Sequence, residues 1–235
     1  MSSGIYVSMA GASARSLQLD SIADNLANAQ TPGYKGERPT FSTVLAEENA
    51  ANGFVVADSK GTDLRPGPVI STGNQLDVLP ENGAFLAVQA ANGQAAFTRD
   101  GRLSIDADGT LKSAGLPVLS ASGQPINVPR DQHVEIAASG QVLADGREID
   151  RLATFQIDGN ATRLGPSVLV PSQGGTATQV DEKLQIGSIE TANHSAIDSA
   201  VDLISAQRSF DASMQAVQTY KHIGDSSNEL GRVRS

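Results

Sequence analysis

Cysteine is absent from this chain, which excludes a disulfide framework and thiolate chemistry. Tryptophan is absent too, and aromatic residues are only 4% of the 235, so the core must be aliphatic and thin. No Lys/Arg cluster relieves a net charge of −9. That argues against a nucleic-acid partner or an anionic membrane surface. No apolar run approaches the ~20 residues that span a bilayer, so no direct membrane insertion is expected. Met1 to Ile5 carry neither a basic n-region nor an apolar h-region, so the start does not read as a cleavable secretory signal. Export would need another route.

The residues of enzyme chemistry are missing as well. His133, His194 and His222 have no metal-ligand spacing, and there is no H-E-x-x-H, G-x-S-x-G or Walker-A loop. Asp106-Ala107-Asp108-Gly109 echoes a calcium loop but lacks the third acidic position and the spacing to a bidentate Glu. It reads as a turn, as do Asp100-Gly101 and Asp158-Gly159. Arg99-Asp100 reads as a hairpin rim. Asp20 and Asp24, one helical turn apart, read as a solvated or partner-facing edge. No catalytic, cofactor-binding or metal-binding residue is expected, no cofactor is implied, and the chain does not read as an enzyme.

Two apolar seams are present instead, one at each end. Ile5, Met9, Ala12, Ser16, Leu19, Ala23 and Leu26 recur at alternating spacings of four and three, with Ile22 alongside. Leu203, Gln207, Phe210, Met214, Val217 and Lys221 keep the same rhythm near the other end, preceded by Ile197, Val201 and Ile204. The width is that of a coiled coil rather than of a globular core. Pro32 and Gly33 stop the first helix, and Gly33 is expected at positive φ. The middle holds most of the 23 glycines and 10 prolines. Its short apolar blocks are separated by turn dipeptides such as Asn92-Gly93, which favours antiparallel β structure.

The expected fold class is therefore α+β. Long N- and C-terminal α-helices would pack as an axial, coiled-coil-like domain beside a central, mainly antiparallel β domain. The expected divisions are 1–33 (N-terminal axial helix), 34–75 (extended connector), 76–185 (central β domain) and 186–235 (C-terminal axial helix). Candidate assembly residues are Ile5, Met9, Leu19, Ile22, Ala23, Leu26, Ile204, Phe210, Met214 and Val217.

Several blocks carry a resemblance. A helix holding Asn25 and Asn28, followed by Thr31-Pro32-Gly33-Tyr34-Lys35, resembles the N-terminal signature of bacterial flagellar rod and hook proteins. Leu76-Asp77-Val78, Asn82-Gly83-Ala84-Phe85-Leu86 and Phe97-Thr98-Arg99-Asp100-Gly101 resemble that family's central β block. Ile204-Ser205-Ala206-Gln207-Arg208-Ser209-Phe210 resembles its C-terminal helix motif. The blocks stand in family order across nearly the whole chain. Within the family the resemblance is nearest to the proximal-rod branch. Hook subunits usually carry further central domains, and the distal-rod type an extra segment after the first helix. Thr191-Ala192-Asn193-His194 and Asp202 depart from the usual family pattern.

The resemblance implies a structural subunit of the basal-body rod. Such a subunit would be exported by the flagellar type III apparatus and polymerised into a torque-transmitting shaft in the periplasmic space. Its partners would be other rod and axial subunits, copies of itself and the export apparatus. Asn25, Asn28, Pro32, Gly33 and Tyr34 are its family-motif residues. The alternatives are a distal-rod or hook-type axial subunit, or an adhesive or carbohydrate-active β protein with helical oligomerisation tails.

Overall fold

The computed structural model describes residues 2–45, 53–130 and 132–232. Helix α1 (Ser2–Ala27) is followed by β1 (Glu37–Leu45) and β2 (Gly53–Thr62), which pair as a two-stranded sheet. These strands occupy much of the segment read from sequence as an extended connector. Then come β3 (Val69–Ser71), β4 (Val78–Pro80), β5 (Phe85–Gln89), β6 (Ala95–Thr98), β7 (Leu103–Ile105), β8 (Leu111–Ser113) and β9 (Leu116–Pro117). After these are β10 (Val134–Ile136), β11 (Gln141–Ala144), β12 (Arg147–Arg151), β13 (Thr154–Asp158), β14 (Ala161–Arg163) and β15 (Val168–Pro171). The chain closes with β16 (Thr176–Val180), β17 (Leu184–Ile186), β18 (Ser188–Glu190) and helix α2 (Ala196–Arg232).

Two compact units result. Unit 1 comprises 1–26, 37–61 and 196–235, and unit 2 comprises 27–36 and 62–195. Unit 2 is built on a six-stranded sheet in the order β14-β15-β6-β5-β13-β16, and every pairing in it is antiparallel. Smaller sheets surround it: β7-β8-β9, β10-β11-β12, β4-β17 and β3-β18.

Strand β5 explains why unit 2 can fold with so few aromatics. Successive residues of a strand point to opposite faces. Leu86 and Val88 enter an aliphatic cluster with Val78, Leu111, Val118, Ile126, Val142 and Leu152. Phe85 and Ala87 enter a second cluster with Phe97, Leu119, Ile157 and Leu169. One continuous apolar run thus serves two cores.

The expected fold class requires a correction. The β centre and the two long helices are present, but no coiled-coil-like pair of terminal helices is shown among the described residues. A coiled coil buries its seam as knobs in holes. Here Met9, Ala23, Ile204 and Met214 are exposed, while Leu19, Ile22, Leu26, Phe210 and Val217 are only half-buried. Ile5 lies in α1, but its side chain falls outside the described ones. Among the described residues, the buried helix positions are the small Ala12, Ala14, Ser21, Ser199 and Ala206. Such residues bury too little apolar area to stand in for a seam. The sequence rhythm was also diluted by Ser16, Gln207 and Lys221.

Candidate assembly junction

The motif that follows α1 is a sequence of backbone locks. Asn25 Nδ2 donates to the Glu37 carbonyl at 2.9 Å, and the Glu37 N–H returns a bond to Asn25 Oδ1 at 2.8 Å. The carboxamide thus imitates a strand neighbour at the root of β1. Asn28 closes a turn, its carbonyl accepting the Thr31 N–H at 2.9 Å and its Oδ1 the Thr31 hydroxyl at 3.3 Å. The Tyr34 N–H then reaches the Thr31 carbonyl at 3.2 Å, around the half-buried Pro32.

Gly33 sits at φ +69° and donates its N–H to the Glu190 carbonyl at 2.8 Å. A Cβ on it would lie 2.2 Å from the Asp100 nitrogen and 2.3 Å from the Arg99 carbonyl carbon. Only glycine satisfies both the dihedral and the approach. Gly101 repeats the second constraint, since a Cβ there would lie 1.7 Å from the Val78 carbonyl oxygen.

Tyr34 is completely buried. The Arg163 guanidinium lies 4.1 Å from its ring centroid and donates through Nη1 to its hydroxyl at 2.6 Å. Arg163 Nη2 donates to the Lys35 carbonyl at 2.6 Å, and the His194 ring meets the Tyr34 ring edge-on at 5.2 Å.

Next to this stack is a buried ionic cluster. Lys35 Nζ donates to Glu190 Oε1 at 2.5 Å and to the Arg65 carbonyl at 2.8 Å. Arg99 approaches the other oxygen, Oε2, through Nε at 2.9 Å and through Nη2. Its Nη1 caps the carbonyls of Pro80 and Ala84. The Gly67 N–H completes the shell of Glu190 Oε1 at 2.9 Å. The side chains of Lys35, Arg99 and Glu190 are 2%, 3% and 0% exposed, so this cluster is sealed from water. Burial pushes the Glu190 carboxyl up, but Arg99 and then Lys35 pull it down further, and it settles below the usual carboxylate range. Burial lowers the Lys35 ammonium, against the opposing pull of Glu190.

The polar groups of the triad bond other parts of the chain, so the arrangement binds the fold together. Arg99 is a correction to the sequence reading, which placed it on a hairpin rim. Glu190 and Arg163 were missed altogether, and Asn193 was noted only within a block that departs from the family pattern. The only available signal for Glu190 was a charge at the end of the short strand Ser188–Glu190, which is buried throughout. Of the family-motif residues, Gly33 and Tyr34 sit in this cluster, Asn28 and Pro32 form the turn leading to it, and Asn25 acts within unit 1. The Asp106 turn is closed by the Lys112 ammonium at 2.6 Å, with the Asp108 and Thr110 N–H groups donating to Oδ1.

Three segments of the chain match described protein families. Residues 5–35 match the family described as flagella basal body rod protein. Residues 81–144 match the flagellar hook protein FlgE/F/G D1 domain, and residues 185–230 the flagellar basal body rod FlgEFG protein C-terminal region. Lys35, Arg99 and Glu190 come one from each matched region. The chain is 29% identical to the flagellar basal-body rod protein FlgF of Escherichia coli, over 98% of both chains. It is 28% identical to FlgF of Caulobacter vibrioides, over 99% of this chain and 100% of that one. It is also 28% identical to FlgG of Agrobacterium fabrum, over 92% and 94% respectively. With three family regions meeting in one buried cluster and FlgF relatives matched end to end, the chain belongs to the flagellar basal-body rod family as a structural subunit of the FlgF type.

Proposed function

We propose that this rod subunit polymerises through its terminal helices with other axial subunits and with copies of itself, in the proximal rod. The observation that carries this reading is the stripe Ile197, Val201 and Ile204 on α2, which remains 76%, 61% and 56% exposed in the single chain. Spacings of four and three place these side chains on one helix face, and large aliphatic side chains gathered in that way mark a surface that a partner covers. Met9 and Ala23 on α1 and Phe210, Met214 and Val217 on α2 extend the proposed contact, together with Ile5, Leu19, Ile22 and Leu26. In this reading 1–33 and 186–235 are the assembling segments, 34–75 the connector and 76–185 the β domain. The subunit reaches the periplasmic space through the flagellar type III apparatus and serves as part of a torque-transmitting shaft rather than as an enzyme.

Ile204→Asp tests the proposal. The residue is exposed, so the monomer should keep its β signal in circular dichroism and its unfolding midpoint. A carboxylate desolvated against a neighbouring subunit would cost several kcal/mol, on the order of a buried unpaired charge. Cells carrying the variant should secrete the subunit yet lack hooks and filaments, whereas exposed Asp211→Ala should build normally. Complete basal bodies containing the Ile204→Asp subunit in electron micrographs would refute the proposed contact.

A further inference from the structure

The chain passes between the two units four times, at 26/27, 36/37, 61/62 and 195/196. On the unit 2 side, three of those passes are gathered by a single side chain. Asn193 Oδ1 accepts the Gly36 N–H at 2.8 Å. Its Nδ2 donates to the Asp63 carbonyl at 2.7 Å and to the Arg65 carbonyl at 3.1 Å. Its own backbone N–H reaches the Tyr34 carbonyl at 3.3 Å, and the Asp63 N–H donates to the Gly36 carbonyl at 2.8 Å. A carboxamide offers two donors and one acceptor oxygen, and this one uses all three at the roots of three chain passes. A carboxylate of the same shape has no donor for the 62–65 pass.

A single polypeptide pass is a swivel, because each residue has two soft dihedrals. Passes tied to one another at their roots cannot turn independently. We propose that Asn193 is a clasp that makes the passes near Gly36, Asp63 and Ser195 share torsional load, an inference that rests on the rod reading above. The clasp lies within unit 2 and borders the Glu190 cluster, since Asn193 and Lys35 both donate to the Arg65 carbonyl.

The test uses the full-length chain with Asn193→Asp, which keeps an acceptor for Gly36 and removes both donors. Asn193→Ala, which places no charge among the carbonyls, is the second variant. Hydrogen exchange at the Asp63 amide should rise on the order of tenfold, the scale of one lost hydrogen bond, while Val88 and Ala96 in the central sheet stay protected. In cells both variants should enter basal bodies and support swimming in dilute buffer, with loss of swimming in viscous medium. Unchanged exchange at Asp63 would overturn the clasp. Raised exchange with normal swimming in viscous medium would overturn load sharing, as would exclusion of folded variants from basal bodies, because the clasp would then serve assembly. Absence of the wild-type chain from purified basal bodies would instead overturn the rod reading.

Discussion

Gly33 and Glu190 show how much of unit 2 depends on single residues. At φ +69° a β-branched side chain is strained by about 1–2 kcal/mol before any clash is counted. The Cβ would also overlap the backbone of Arg99 and Asp100. Gly33→Val should therefore lower the urea midpoint of unit 2 more than the dihedral cost alone explains, and Gly33→Ala should share most of that loss. Glu190 yields a pH dependence. Its folded-state value lies below the ordinary 4.5, so its stabilisation is present above that value and is lost as pH falls through the lowered range. Protonation leaves Lys35 and Arg99 buried without their anion. Glu190→Gln should cost roughly 3–5 kcal/mol at neutral pH, the scale of breaking one side of a buried pair. The gap between variant and wild type in urea titrations should narrow as pH falls from 6 toward 3. A constant gap would show that Glu190 acts through shape alone.

Strand and helix differ in how their apolar side chains are used. Leu86 of β5 is fully buried in the larger aliphatic cluster, so Leu86→Ala should destabilise by about 2–5 kcal/mol in denaturant titrations. Ile204 of α2 is as large but exposed, and Ile204→Ala should leave monomer stability within about 0.5 kcal/mol. The sequence showed both residues in regular apolar patterns. Periodicity reports that a face is apolar, not what covers it, and so the helix seams were legible while the expectation that they pack on each other was not met. Strands β1 and β2 were largely illegible for the opposite reason. Residues 34–75 show little alternation, and pairing rather than pattern makes them strands.

The whole molecule is less divisible than its linear order suggests. Reading along the chain, the β domain was expected at 76–185, with 34–75 as a connector leading into it. Unit 2 instead takes in 27–36, whose Tyr34 and Lys35 are buried in it, and extends to Ser195. A fragment of residues 27–195 should fold with a clear cooperative transition. A fragment of residues 62–195 should melt earlier, since it leaves the Tyr34 slot empty and Glu190 short of one cation. Calorimetry of the two fragments checks this, and equal midpoints would show that the 27–36 segment contributes nothing to unit 2.

What the sequence determined by itself were the properties carried by local order: helices at both ends, a turn-rich antiparallel centre, a glycine at positive φ after Pro32, and three blocks in the family's order. These follow from periodicity, turn chemistry and spacing, which need no partner. Only the tertiary structure decided that Lys35, Arg99 and Glu190 meet, that Arg163 covers Tyr34, and that Asn193 holds three passes of the chain. Lys35 and Glu190 are separated by 155 positions, and Gly36 and Asn193 by 157. A charge or a carboxamide at such a distance has no periodic signature, because its role is set by the groups that folding brings within a hydrogen bond of it.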